Sequence, residues 1–116
     1  MKRECFSFKM YRFREFVMQI NETKNDDSIQ LTVEGQVDTI TSPQLQQSIL
    51  VAFQKSKNVI LDLGQVPYMS STGLRALLLG QKTAASKGGS MKVLNVQPAV
   101  MQVFQMSGFD SILSIE

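Results

Sequence analysis

Three consecutive hydroxyl side chains, Ser70, Ser71 and Thr72, stand directly before Gly73-Leu74 and an apolar run, where a helix is expected to begin. The first turn of a helix leaves backbone N–H groups without partners and carries a partial positive charge. A phosphate added to a serine there gains hydrogen bonds and a favourable field, so the triplet is a candidate for covalent modification. The same position suits an N-cap, because Ser and Thr oxygens satisfy the orphan donors well. Taken by themselves, the three residues favour capping.

Most other chemistry lacks its tools. The chain of 116 residues contains no histidine and one cysteine, Cys5. Ser-His-Asp and Cys-His catalysis, His-based metal sites and internal disulfides are thereby excluded within one chain. Asp38, Asp62 and Asp110 are far apart in sequence, with no spacing that suggests paired acid/base work. No Gly-x-x-x-x-Gly-Lys-Ser/Thr loop occurs, and Gly88-Gly89 follows an expected helix instead of opening one, which marks a helix stop. The sequence therefore calls for no cofactor, no metal and no enzymatic activity.

The length and a 43% hydrophobic content fit a single domain with a modest core. No apolar run reaches the roughly eighteen residues of a membrane span, and the N-terminus lacks the uninterrupted apolar segment of a signal peptide, so a cytoplasmic protein is expected. The formal charge of +2 is unevenly spread. Lys2, Arg3, Lys9, Arg12 and Arg14 against Glu4 and Glu15 make the first fifteen residues basic and leave the body near neutral. The body gives no electrostatic reason to expect direct nucleic-acid binding.

The elements that must position the triplet can be read from periodicity. Residues 1–16 form an N-terminal extension holding Phe6, Phe8, Tyr11, Phe13 and Phe16. Phe6, Met10, Phe13 and Val17 share a face if helical, and Phe6, Phe8 and Met10 alternate if extended. Met10 and Met18 are alternative starts, so an extension upstream of the true start, or a packed extra strand, is expected ahead of a membrane anchor. The domain proper is then 17–116.

Val17 to Ile20 reads as a short strand, residues 21–28 as a polar turn, and Ile29 to Glu34 as an alternating strand, together a hairpin. Ser42 and Pro43 read as an N-cap and first-turn proline of a helix reaching Lys55, with Leu45, Ile49, Ala52 and Phe53 as its core stripe. Val59 to Leu63 is an apolar strand expected to be covered on both faces, with Asp62 bonding loop backbone. A helix from the triplet to about Lys87, a strand Met91–Asn95, a helix Pro98–Met106 stopped by Gly108, and a strand Ile112–Ile115 complete the chain. The alternation predicts one α/β domain with a mixed, largely parallel sheet of about four to five strands packed with helices. On a helical wheel Leu74, Leu77, Leu78, Gln81 and Ala85 form the inward face, leaving Thr72, Arg75, Ala76, Leu79, Lys82 and Thr83 outward.

The run Tyr68-Met69-Ser70-Ser71-Thr72-Gly73-Leu74 resembles the phosphorylation segment of the STAS family, specifically bacterial anti-sigma factor antagonists. Leu31-Thr-Val-Glu-Gly-Gln-Val-Asp38, followed by Thr41-Ser42-Pro43-Gln44-Leu45, is similar to that family's turn into its first helix. Together the matches cover most of residues 17–115. The family's phosphorylated serine, two residues before the glycine, falls on Ser71, with Ser70 and Thr72 as alternative acceptors. The chain departs at Ser70, where many members have aspartate. Members commonly add one more helix after the last strand, so apolar surface is expected near Glu116, with the N-terminal extension as its cover.

The resemblance implies a partner-switching mechanism. Unmodified Ser71 permits binding to an anti-sigma factor that is also a serine kinase, which frees a sigma factor. Phosphorylation by that kinase ends binding, and a PP2C-type phosphatase resets the protein. The partner would contact Ser70, Thr72, Gly73, Arg75, Ala76 and Leu79. The alternatives are a STAS subunit of a membrane ABC lipid transporter and a nucleic-acid binder using the basic aromatic arm. Oligomeric state is open.

Overall fold

The computed structural model describes residues 18–116, so the expectations for residues 1–16 and for Val17 lie outside the described residues. Strands β1 (Gln19–Lys24), β2 (Ile29–Glu34), β3 (Asn58–Gln65), β4 (Ser90–Leu94) and β5 (Ser114–Ile115) form one sheet in the order β1-β2-β3-β4-β5. β1 and β2 pair antiparallel as the expected hairpin, with a tight turn in which Asn25 N donates to Ser28 O. The remaining neighbours pair in parallel, each joined through a helix. These helices are α1 (Ser42–Lys55), α2 (Ser71–Lys87) and α3 (Pro98–Ser107). The architecture is the single α/β domain with a mixed, mostly parallel sheet that the alternation predicts.

Register explains the core. Ile29 pairs with Val59 and Val59 with Met91; Leu31 pairs with Leu61, Leu61 with Val93, and Val93 with Ile115. These rows lie on one face, and all but half-buried Ile115 are buried. Leu45, Ile49, Ala52 and Phe53 of α1 and Val100 and Phe104 of α3 join the same cluster. The expectation that β3 is covered on both faces is corrected: Val59, Leu61 and Leu63 are buried, whereas Ile60 and Asp62 on the opposite face are half-buried. A strand that reads as uninterrupted apolar residues still alternates in burial when one face holds the helices.

Asp62 is structural, as expected, but it bonds backbone of its own strand and a loop side chain instead of loop backbone. The β2–β3 register slips between Thr32 and Glu34, placing an extra residue on β3. There Asp62 Oδ1 accepts from Gly64 N at 2.9 Å and from Asn95 Nδ2 at 3.2 Å. The bulge is thereby tied to the loop after β4.

Several boundaries differ from expectation, β3, β4 and α3 by one or two residues at an end. The N-cap of α1 is Thr41, with Ser42 as the first helical residue and Pro43 inside the first turn. β1 runs on to Lys24, and Glu22 within it meets Lys55 at the end of α1 at 2.8 Å. After Gly108 the chain makes a short 3-10 turn, Phe109–Ser111, so Ile112 precedes the last strand and is not part of it. Local hydrogen bonding, with Ile112 N and Leu113 N both donating to Phe109 O, outcompetes extension there.

Candidate functional site

The hydroxyl triplet lies where β3 hands over to α2. Val66 and Met69 in this connection are buried, which anchors it and leaves Tyr68 outside, 49% exposed. Val37, in the connection from β2 to α1, pairs with Met69 in an isolated parallel bridge. Val37 N donates to Tyr68 O at 3.0 Å and Ser70 N donates to Val37 O at 2.8 Å. Two loops at the carboxyl ends of β2 and β3 are thus stitched together directly below the start of α2. Ligand and partner sites in α/β sheets tend to occupy this edge.

The three hydroxyls are not equivalent. Ser70 is the N-cap, with extended backbone (φ −89°, ψ 176°) and an oxygen that accepts from Gly73 N at a long 3.4 Å. Ser70 Oγ also lies 2.7 Å from Thr72 Oγ1, so these two hydroxyls share a hydrogen bond. Both are half-buried. Ser71 is the first residue of α2, is exposed, and its hydroxyl has no hydrogen-bond partner among the described residues. Capping and an accessible hydroxyl therefore coexist in adjacent residues.

The remaining candidate residues divide by burial. Arg75 and Lys82 are exposed in line with Ser71, and Thr72, Leu79 and Thr83 are half-buried beside them. Ala76 is corrected from outward to inward: it is 1% exposed. Gly73 is likewise buried. The inward face of α2 is Gly73, Leu74, Ala76, Leu77, Gly80 and Ala84, while Leu78 and Gln81 are half-buried and Ala85 is exposed. The reason is close approach. A Cβ on Gly73 would stand 2.7 Å from both Met69 Cγ and Val37 Cγ1, and one on Gly80 would stand 2.6 Å from Met91 Sδ and 2.9 Å from Ile49 Cγ2. Small residues let the helix backbone sit against the sheet and α1, and a wheel weighted by leucines misses them.

The β2–α1 loop beside the triplet has its own order. Asp38 Oδ1 accepts from Ile40 N at 2.9 Å and Thr41 N at 3.0 Å, and Thr41 Oγ1 accepts from Asp38 N at 2.9 Å while donating to Gln36 O at 2.8 Å. This cap holds Ile40 at the surface, 74% exposed. The spacing Asp38-x-x-Thr41 carries the signal for that turn, but nothing in the sequence marks Ile40 as outward. Among the described residues no group of His, Cys, Asp or Glu converges to hold a metal ion, and no helix is long and apolar enough to cross a membrane.

Known proteins are similar to this chain in sequence and in fold. BtrV of Bordetella bronchiseptica, named as an anti-sigma factor antagonist, is 32% identical over 99 residues, covering 84% of this chain and 85% of its own. The anti-sigma-B factor antagonist of Bacillus subtilis is 26% identical over 98 residues, covering 84% and 90%. The unphosphorylated form of the Bacillus anti-sigma factor antagonist SpoIIAA shares the fold at a TM-score of 0.72 and 22% identity, over 86% of this chain and 88% of its own. A phosphorylated form of SpoIIAA shares it at a TM-score of 0.66 and 20% identity, covering 86% of this chain and 91% of its own. The profile of the STAS domain matches residues 19–116. With that match spanning every described strand and helix, the chain belongs to the STAS domain family.

Proposed function

We propose that this protein is an anti-sigma factor antagonist that works by partner switching in the cytoplasm, with Ser71 as the switch. The observation that carries the reading is the contrast within the triplet: among the described residues Ser71 is exposed with no partner for its hydroxyl, whereas Ser70 and Thr72 bond each other. A kinase needs a hydroxyl it can reach without dismantling a cap. The relatives named as anti-sigma factor antagonists, and the existence of SpoIIAA in phosphorylated and unphosphorylated forms, support the same reading.

In the unmodified state the exposed strip of α2 docks on an anti-sigma factor that is also a serine kinase, which frees a sigma factor. Ser71 Oγ then attacks the γ-phosphorus of the kinase's ATP. An O–P bond forms, the bond to the β–γ bridging oxygen breaks, ADP leaves, and the serine proton passes to a base on the kinase. The phosphate brings about −1.5 to −2 charge into a surface that must be desolvated to dock, and binding ends. A PP2C-type phosphatase returns the serine by hydrolysis, releasing inorganic phosphate. ATP belongs to the kinase, and this chain acts as a regulated binding module.

The test is intact-mass and peptide mass spectrometry of the protein from its own cells. A phosphate on Ser71 in the peptide spanning residues 58–75 is expected. Unmodified protein under every growth condition would overturn the reading and favour a constitutive adaptor or transporter subunit.

A further inference from the structure

Among the described residues four large apolar side chains are exposed: Ile40, Tyr68, Met106 and Ile112. The topology sorts them into two pairs. Ile40 follows β2 and Tyr68 follows β3, so both stand at the carboxyl edge of the parallel strands, where α2 begins. Met106, at the end of α3, and Ile112, before β5, stand at the opposite edge. Exposed apolar residues are ordinary singly. Two of them on separate loops that are stitched through Val37 at the start of the helix bearing Ser71 are a different matter.

Resting on the function proposed above, we infer that Ile40 and Tyr68 are the apolar anchors by which the Ser71 kinase docks and that they set its choice of substrate. A protein that transfers phosphate to Ser71 must cover the surface around that hydroxyl. A specific interface occupies about 800 Å² on each partner, more than a serine and one helix end supply. The stitched loops are the continuous surface next to it. Ile40 is held outward by the Asp38 cap and not by a mobile tip, so little ordering opposes its insertion into a pocket. The exposed strip of α2 adds Arg75 and Lys82 and no carboxylate. The complementary partner surface is an apolar pocket for Ile40 and Tyr68 with an acidic rim along α2.

The test uses the full-length chain in its own cells, comparing wild type, Ile40→Ser and Met106→Ser. The rate at which phosphate appears on the Ser71 peptide after a pulse of synthesis is followed by mass spectrometry, with thermal unfolding of each purified protein. Ile40→Ser is expected to slow phosphorylation about tenfold, the effect of losing one well-packed anchor. Met106→Ser should match wild type, and both variants should melt with it. Should Ile40→Ser prove less stable, Tyr68→Ser gives the same reading. Phosphorylation of the Ile40 and Tyr68 variants at the wild-type rate overturns the docking inference and leaves the switch intact. Absence of phosphate from every chain overturns the switch and the inference with it.

Discussion

Val37 and Met69 are partners across two loops, joined by one backbone bond on either side, and their side chains together fill the space a Cβ on Gly73 would need. The loop that leads into α1 thus sets the height at which α2 starts. Gly73→Ala puts a Cβ 2.7 Å from each of them, too close without movement of the loops. Overpacking of this kind costs about 1 to 3 kcal/mol. A fall in melting temperature of at least several degrees is expected, and an unchanged melting curve would contradict the close approach.

Ser70 caps α2 through a long 3.4 Å bond, so its removal should cost little for a cap. Ser70→Ala is expected to lose about 0.5 kcal/mol, the lower end for capping residues. Ser70→Asp places a carboxylate at the positive end of the helix and should gain about 0.3 to 1 kcal/mol. Denaturant unfolding of the two variants on opposite sides of wild type is the outcome to look for.

Ser71 separates folding from switching. Ser71→Asp adds a negative charge at the first turn of α2 and should leave the melting temperature at or slightly above that of wild type. It should nevertheless bind the kinase weakly, while Ser71→Ala binds and resists modification. Equal affinity of the two variants would remove the phosphate-dependent switch.

Gly88 and Gly89 end α2 for different reasons, which substitution can tell apart. Gly88 has φ +72° and open space around a Cβ, so Gly88→Ala should cost about 1 kcal/mol of backbone strain and no more. A Cβ on Gly89 would instead overlap the backbone oxygen of Lys57, which accepts from Ser90 N at 3.0 Å at the start of β4. Gly89→Ala must displace the strand and should be much the more destabilising by thermal unfolding.

Asp38 orders the loop beside Ser71. Asp38→Ala leaves Ile40 N and Thr41 N without their carboxylate acceptor, at about 1 to 3 kcal/mol, while the Thr41 hydroxyl keeps Gln36 O. Asp38→Asn keeps one carbonyl oxygen for Ile40 N and Thr41 N and should recover most of that loss. Amide hydrogen exchange at Ile40 and Thr41 reports it directly: fast in the alanine variant, slow in the asparagine one.

The sequence by itself determined what depends on neighbours along the chain. Alternation in Ile29, Leu31 and Val33 makes a strand, the recurrence of Leu45, Ile49, Ala52 and Phe53 makes an amphipathic helix, and Gly88 and Gly108 stop helices in left-handed conformations. The hydroxyl triplet at a helix start was legible for the same reason. Only the tertiary structure decided which face of α2 turns inward. Gly73, Ala76, Gly80 and Ala84 have little hydrophobic signal, yet their smallness lets the backbone press against Val37, Ile49, Met69 and Met91. That choice buries Ala76 and frees Arg75. It was likewise the bond between Ser70 and Thr72, and the stitching through Val37 of the two loops that expose Ile40 and Tyr68, that left Ser71 as the accessible hydroxyl. Contacts between segments thirty residues apart follow from packing, which no local pattern encodes.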